Sequence, residues 1–163
     1  KRVGVIYSAY SREVLKEAEK AAEILEIELY SKEITRSKDF KRSFKEISGK
    51  VDAFLVLNDP VVYTLDNMDW LKMRCLKEKL PCIGQSRNIA ELGLVLSITP
   101  DMADIGLQAA SMAKNIINRQ QRPNFIGVMA PLGTQVVINR KTAERIGLTL
   151  DQSSIDMATG VIE

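Results

Sequence analysis

Three short polar segments of this sequence carry the side chains best suited to bind a small molecule. They are Ser8-Ala9-Tyr10-Ser11, Asn58-Asp59-Pro60 and Gln85-Ser86-Arg87-Asn88. Each follows an apolar run, and each offers hydroxyl, amide or carboxyl groups that form hydrogen bonds. None is rich in glycine, so the sequence contains neither a phosphate-binding P-loop nor a dinucleotide fingerprint. The segments instead favour a small polar ligand.

The remaining residue types argue against catalysis. The chain contains no histidine, which excludes Ser-His-Asp catalysis, Cys-His catalysis and histidine-ligated zinc. Its two cysteines, Cys75 and Cys82, are too few to form a zinc site by themselves. A G-x-S-x-G nucleophile elbow is also absent from the sequence. We therefore predict a protein that is not an enzyme, with no catalytic residue, no metal and no cofactor.

The two cysteines lie within predicted elements, Cys75 in a helix and Cys82 in a short strand. A disulfide between them is conceivable in an oxidising compartment. Because a free cysteine behaves as a small core residue, we favour two buried free thiols.

Strands and helices alternate along the first part of the chain. Apolar runs typical of buried parallel strands lie at residues 3–7, 53–57, 81–84 and 94–98, with a weaker strand beginning at 27–29. Helical apolar spacing appears at residues 14–25, with Ser11 as its N-cap, and at 40–47, with Ser37 as its N-cap. A third helix is predicted at about 67–79. This alternation predicts an α/β fold with a Rossmann-like, doubly wound parallel sheet.

In such a sheet, ligands bind outside the carboxyl ends of the strands. All three polar segments follow strands, so we expect them to meet at one edge of the sheet. The candidate ligand-binding residues are Ser8, Tyr10, Ser11, Asp59, Gln85 and Ser86. Two plain alternatives stay open, in which Ser11 only caps its helix and Asp59 only begins a turn.

The pattern changes after residue 98. Thr99-Pro100-Asp101 predicts the start of a long helix whose apolar stripe is Ile105, Ala109, Met112 and Ile116, ending at about Arg119. A polar connection to Asn124, a strand at 135–139, a helix at 141–146 and a weakly helical tail at 151–163 follow. We therefore divide the chain into an α/β ligand-binding lobe, residues 1–98, and a second part, residues 99–163.

A phosphate-accepting receiver domain has the same sheet plan, and Asp59 stands where its phospho-acceptor would be. Ser8-Ala9 replaces the acidic pair that holds Mg²⁺ in such domains, and Thr99 stands in place of the lysine. The receiver interpretation therefore fails.

Composition excludes several partners. Lysine plus arginine number 23 and aspartate plus glutamate 21, a formal charge of +2, which gives no general attraction to nucleic acid or to an anionic membrane. No stretch approaches the roughly 18 consecutive apolar residues of a membrane-spanning helix. The sequence begins at Lys1 in what reads as a strand, and no signal peptide is visible.

Several loose motifs, in order along the whole chain, together form a recognisable pattern. They are residues 1–7 (KRVGVIY), 49–53 (GKVDA), 80–84 (LPCIG), 104–110 (DIGLQAA), 137–143 (VINRKTA) and 161–163 (VIE). In this order they resemble the C-terminal half of the substrate-binding proteins of ABC transporters. More narrowly, they resemble a family of uncharacterised ABC-type components, some of which bind aromatic amino acids.

The resemblance implies a type I periplasmic-binding-protein fold, in which two lobes joined by crossing segments close around a small ligand. This chain would provide the second lobe, the crossing helix and the C-terminal tail. The implied function is that of the solute-binding component of an ABC-type importer, which binds a small polar ligand such as an amino acid without catalysis. The alternative is an extracytoplasmic ligand-sensing domain of a membrane receptor or kinase. Permease genes beside the gene would favour the importer, and kinase segments in the same chain would favour the sensor.

The implied partners are a small-molecule ligand and an ABC permease. The implied location is the periplasmic or extracellular face, either membrane-anchored as a lipoprotein or soluble. Of the candidate residues, Asp59 matches the family pattern by identity and the others by position. Arg87 stands where the family carries an acid, so it either favours an anionic ligand or lies on a solvated face. With the first lobe absent, we expect the helix from Ile105 to Ile116 to self-associate or to fold back onto its own lobe.

Overall fold

The computed structural model of the chain describes residues 1–118 and 122–163. These residues form two compact units. The first unit comprises Lys1–Ile98 and Val136–Glu163, and the second comprises Thr99–Gln135.

A seven-stranded sheet has the strand order β2-β1-β3-β4-β5-β6-β7. The strands are β1 (Arg2–Tyr7), β2 (Glu28–Glu33), β3 (Ala53–Val56), β4 (Cys82–Gly84), β5 (Leu96–Pro100), β6 (Thr134–Asn139) and β7 (Gly160–Ile162). The pairs β1–β2, β1–β3, β3–β4, β4–β5 and β6–β7 are parallel. Because β1 lies between β2 and β3, the chain winds in both directions from β1, which confirms the predicted doubly wound α/β fold.

Eight α-helices are described. They are α1 (Arg12–Ile24), α2 (Phe40–Ile47), α3 (Leu65–Glu78), α4 (Arg87–Glu91), α5 (Met102–Ile117), α6 (Pro123–Ile126), α7 (Arg140–Ile146) and α8 (Gln152–Asp156). Short 3-10 turns precede α1 and α2, at Ala9–Ser11 and Ser37–Asp39, and another follows α2 at Ser48–Lys50. The sequence patterns did not reveal α4, α6 or β7, which are only three to five residues long.

Helices cover both faces of the sheet because side chains alternate along each strand. In β1, Val5 packs in one apolar cluster with Leu15 of α1, while the next residue, Ile6, belongs to the cluster that includes α2 and α3. The cluster that contains Ile6 has an aromatic centre formed by Phe40, Phe44, Phe54 and Trp70. The Phe44 and Phe54 rings meet edge to face with centroids 4.9 Å apart, a favourable arrangement for aromatic pairs. This cluster includes Ile6 near the end of β1 and Val56 at the end of β3, so it packs against the strand ends from which two of the polar segments continue.

The prediction of two free thiols is wrong, because Cys75 and Cys82 form a disulfide with a Cα–Cα distance of 6.4 Å. The cause is the abrupt reversal after α3. Lys79 adopts a left-handed conformation with φ of 53° and caps the helix, and its backbone then leads straight into β4. The last turn of α3 therefore lies over the start of β4. The two cysteines are seven positions apart, and the sequence does not show that the chain reverses between them.

Helix starts also differ from the sequence-based prediction. The long helix is not capped by Thr99 with Pro100 at its first position, because Pro100 ends β5 and Asp101 is the N-cap. The Asp101 carboxylate accepts hydrogen bonds from the backbone N–H groups of Ala103 (2.8 Å) and Asp104 (3.2 Å), as capping carboxylates do. The predicted helix end at Arg119 lies outside the described residues.

Ser37 and Ser11 also differ from their predicted capping roles. Ser37 lies in a 3-10 turn ahead of α2, whose N-cap position is Asp39. Its hydroxyl instead accepts a hydrogen bond of 2.9 Å from Nδ2 of Asn67. Ser11 does occupy the N-cap position of α1 but makes no side-chain capping bond there.

Residues Val136–Glu163 belong with the first unit in the structure, whereas the sequence-based division placed all of residues 99–163 in one second part. Asn139, at the end of β6, donates from Nδ2 to the carbonyl of Ala90 (2.8 Å) and from its backbone N–H to Val95 (2.8 Å). The Thr142 hydroxyl, in α7, donates to the carbonyl of Gly93 (3.0 Å). These bonds fasten β6 and α7 to the segment between α4 and β5.

The second unit consists of α5, α6 and the segment that leads to β6. The Gln108 amide bridges α5 to that segment, donating to the carbonyl of Ala130 (3.0 Å) and accepting from the N–H of Leu132 (3.2 Å). None of the side chains of α5 is buried. In the predicted stripe, Ile105, Met112 and Ile116 are half-buried and Ala109 is exposed. Among the described residues, no helix has the length and apolar character needed to cross a bilayer.

Candidate functional site

The three polar segments predicted from the sequence begin where β1, β3 and β4 end. These strands are neighbours in the sheet, so their carboxyl ends meet at one edge. We call residues 8–11 the first loop, 58–60 the second loop and 85–88 the third loop. Together the three loops are called the rim.

A buried hydrogen-bond network joins the first and second loops. The Ser8 backbone N–H donates to Oδ2 of Asp59 at 2.8 Å. The Ser8 hydroxyl lies 2.9 Å from Oδ1 and 2.8 Å from Oδ2 of the same carboxylate. Ser8 and Asp59 are 51 positions apart in the chain, so this contact exists only because the sheet places β1 beside β3.

The Asp59 carboxylate also organises its own loop. Its Oδ1 accepts from the backbone N–H groups of Val61 (2.9 Å) and Val62 (3.2 Å). The Asp59 carbonyl accepts from the N–H of Tyr63 at 2.6 Å. The chain is thereby folded into a tight turn that leads into α3, as expected for an aspartate at the start of a turn.

The third loop reaches the second through Gln85. Its side-chain carbonyl accepts a 3.4 Å hydrogen bond from the backbone N–H of Asn58. The third loop is short because α4 begins at residue 87 and packs closely on β4. A Cβ at Gly84 would lie 2.3 Å from Cδ1 of Ile89, so only glycine lets the helix approach this closely.

The structure therefore brings the three loops together, but it separates the six candidate residues by exposure. Ser8, Ser11 and Asp59 are buried, with 2%, 4% and 0% of their surface exposed. Tyr10 is 77% exposed, Gln85 is exposed and Ser86 is half-buried. The side chain of Arg87 lies outside the described part of the structure. Ligand contact by any of these residues stays a prediction.

The pKa of Asp59 is the product of two opposing effects. Burial raises it, because a carboxylate loses its water. Hydrogen bonds from the hydroxyls of Ser11 and Ser8 and from the backbone N–H groups of Ser8 and Val61 lower it further than burial raises it. The pKa in the folded protein is therefore below the ordinary value, and Asp59 is ionised at neutral pH.

This lowered pKa predicts a specific pH dependence of stability. Because folded Asp59 holds its proton less tightly than unfolded Asp59, its contribution to the free energy of unfolding is complete above the unfolded pKa of about 3.9. The contribution is lost as the pH falls from there through the folded pKa. We expect urea midpoints of wild type and Asp59→Asn to differ at pH 6 and to converge towards pH 3. A difference that stays constant over this range would contradict the assignment.

The described side chains of the rim are mainly hydrogen-bonding groups. Among the residues that the structure describes, no group of three Cys, Asp or Glu side chains is placed to hold a metal ion. Asp59, the buried acid, has both oxygens engaged in hydrogen bonds. What the rim does offer is exposed hydrogen-bonding side chains. One of them, Asn58, is exposed beside Gln85 and was not among the sequence-based candidates, although it precedes Asp59 directly.

Two of the cavities in the described part of the structure illustrate where space lies outside the six candidate residues. A groove of about 460 Å³ adjoins the second and third loops, between the start of α3 and α4. Its lining includes Tyr63, Leu65, Met68 and Asn88. A cavity of about 640 Å³ lies within the second unit, between α5 and residues 125–132. None of the six candidate residues lines either space.

Comparison with known proteins identifies the kind of molecule that carries this rim. The family model described as "ABC transporter substrate binding protein" matches residues 1–162. The chain belongs to this family. The match confirms the resemblance inferred from the motif order, and no curated protein matches the chain.

Solved structures similar to this substrate-binding family member confirm the fold. A conserved domain protein from Vibrio cholerae has 24% identity and a TM-score of 0.78, covering 99% of this chain and 54% of that one. An ABC domain in complex with L-Trp, from Streptococcus pneumonia, has 21% identity and a TM-score of 0.74, covering 99% and 56%. A ligand-free, open substrate binding protein with adhesive properties, from Clostridium difficile, has 19% identity and a TM-score of 0.79, covering 100% and 54%. The chain thus spans about half the length of these structures.

Proposed function

We propose that this chain provides one ligand-binding lobe of the solute-binding component of an ABC-type importer. The observation that carries the proposal is the family match over residues 1–162. The rim supports it, because three loops that are distant in sequence present hydrogen-bonding groups at one edge of the sheet. In this proposal the ligand lies between the rim and a second lobe, and binding involves no catalysis.

The proposed ligand is small and polar, and amino acids are the first class to test. Two observations support this choice. One similar structure, at 21% identity, holds L-Trp. The described side chains exposed on the rim include the amides of Asn58 and Gln85 and the phenol of Tyr10, which can donate and accept hydrogen bonds.

The proposed partner is an ABC permease, and the proposed location is the extracytoplasmic face of the membrane. The Cys75–Cys82 disulfide supports this location, because disulfides persist in the periplasm and outside the cell and are rare in the cytosol. The permease partner and the extracytoplasmic location are both consequences of the proposed importer role.

Isothermal titration calorimetry of the intact two-lobed protein tests the proposal. The panel comprises the 20 L-amino acids, followed by sugars, nucleosides and dicarboxylates as other solute classes. We expect one-to-one binding of at least one amino acid with a Kd of about 1 µM or below, a binding free energy of about −8 kcal/mol. The absence of binding heat for every amino acid would contradict the amino-acid proposal, and the absence of heat for every solute would contradict solute binding.

We also propose that the 163-residue chain alone self-associates through α5. Ile105, Met112 and Ile116 form an apolar stripe that is only half-buried, and apolar surface left in water tends to acquire a partner. Sedimentation velocity is expected to give a dimer or larger species for the wild-type chain. Met112→Lys should shift it to monomer, because the substitution places a charge in the stripe. Ala110→Lys, at an exposed position of α5 outside the stripe, is the matched control and should leave the association unchanged. A wild-type monomer at high micromolar concentration would contradict this proposal.

A further inference from the structure

The six residues predicted from the sequence cannot all contact a ligand in the same way. Asp59 has no exposed surface. Its Oδ1 accepts from two backbone N–H groups and its Oδ2 from a third, and the Ser8 hydroxyl reaches both oxygens. A ligand atom could bind this carboxylate only after breaking bonds that hold the first and second loops together. The acid that matches the family pattern by identity is therefore enclosed by its own protein.

The exposed groups of the rim depend on that enclosed acid for their position. Tyr10 lies two residues after Ser8, and its backbone N–H donates to the Ser8 hydroxyl at 3.3 Å. The Ser11 N–H donates to the Ser8 carbonyl at 3.0 Å, which closes the turn that carries Tyr10. Asn58 directly precedes Asp59, and Gln85 contacts the backbone of Asn58. The positions of the Tyr10, Asn58 and Gln85 side chains therefore depend on the hydrogen bonds between Ser8 and Asp59.

We propose that Asp59 is a positioning residue, and that the ligand contacts on this lobe are made by Tyr10, Asn58 and Gln85. The proposal rests on the proposed solute-binding function for its contact residues. An exposed tyrosine on a turn held by buried hydrogen bonds loses little conformational freedom when it contacts a ligand. The two amides each donate and accept, so they select a ligand group that also does both.

The substitution Asp59→Asn tests the positioning role, because it replaces one of the two acceptor oxygens by an NH₂ donor and leaves the other oxygen in place. The asparagine oxygen can still accept from the N–H groups of Val61 and Val62. Its NH₂ group would then face the Ser8 N–H, and two donors cannot bond to each other. We therefore expect the first loop to be released while the turn that begins at Asp59 is kept.

Amide hydrogen exchange of the intact protein, followed by NMR, tests the positioning role without a ligand. In Asp59→Asn, amides of residues 8–11 are expected to exchange at least about tenfold faster than in wild type. The amides of Val61 and Val62 should exchange at the wild-type rate. Unchanged exchange at residues 8–11 would overturn the positioning role.

Calorimetry with the amino acid that binds wild type most tightly tests the contact residues. Tyr10→Ala, Asn58→Ala and Gln85→Ala should each raise the Kd about tenfold without changing the urea midpoint. Gln152→Ala removes an exposed amide on α8 and is the matched control, with an unchanged Kd. Unchanged Kd values for all three rim variants would overturn the contact assignment.

A double-mutant cycle between Tyr10 and Asp59 distinguishes positioning from direct contact. If Asp59 acts by holding the Tyr10 loop, Tyr10→Ala should have little further effect on the Kd in the Asp59→Asn protein, because coupled residues are not additive. Additive effects would show that Asp59 contributes independently of Tyr10 and would overturn the proposal. If wild type binds no amino acid, the amino-acid function fails and the contact roles fail with it, while the exchange experiment still decides the role of Asp59.

Discussion

Asp59→Ala is expected to lower the free energy of unfolding by about 3 kcal/mol. The substitution removes the carboxylate that accepts from the backbone N–H groups of Ser8 and Val61 and from the Ser8 hydroxyl. The Val62 N–H keeps a second acceptor, the backbone carbonyl of residue 59. A buried donor left without a partner costs about 1–3 kcal/mol, and part of this total is offset because the carboxylate itself is no longer buried. Urea denaturation at pH 7, followed by the fluorescence of the sole tryptophan, Trp70, measures the change.

Asp52→Ala provides the matched control. Asp52 directly precedes β3, and its carboxylate also accepts hydrogen bonds, in its case from the backbone N–H and the guanidinium of Arg2. Both partners are about half exposed, so water replaces the lost bonds and screens the ion pair. We expect a much smaller loss than for Asp59→Ala. Equal losses for the two variants would contradict the structural role that we assign to the buried network.

Removal of the Cys75–Cys82 disulfide is expected to cost about 2.5 kcal/mol of stability. The cross-link spans a sequence separation of 7 residues, and restricting a loop of this size in the unfolded chain stabilises the folded state by about that amount in the chain-entropy model. Both cysteines are buried in the core. The double variant Cys75→Ala/Cys82→Ala, compared with wild type in urea, measures the loss.

The reduced wild-type protein separates the cross-link from the loss of two buried sulfur atoms. Wild type treated with dithiothreitol should shift towards the midpoint of the double variant, and the double variant should not respond to the reductant. A thiol assay confirms that the bond has been reduced. If two thiols appear and the midpoint of wild type stays where it was, the disulfide does not contribute the predicted stability.

The position of the rim could be predicted because it follows from strand order alone. Continuous apolar runs marked β1, β3 and β4, and parallel strands that are neighbours must end at the same edge. Asp59 was found because an aspartate and a proline interrupt such a run. Its burial could not be predicted, since that depends on the hydroxyl of Ser8 meeting it from 51 positions away.

The features that sequence reasoning missed share a local cause. The disulfide depends on the left-handed residue Lys79, where no glycine or asparagine signals a reversal. Helix α4 has only five residues, too few to display an apolar stripe. The cap of α5 was displaced by two residues because Asp101 and Thr99 are both good capping residues, and the proline between them ends the strand rather than beginning the helix.

We propose that residues 8–11, 58–60 and 85–88 form one ligand-binding rim. Hydrogen–deuterium exchange of the intact protein, with and without the amino acid that binds most tightly, tests it most directly. Ligand is predicted to slow exchange in all three loops together, because each contributes to the same edge of the sheet. Slowed exchange confined to other parts of the protein, with all three loops unchanged by a bound amino acid, would contradict the claim.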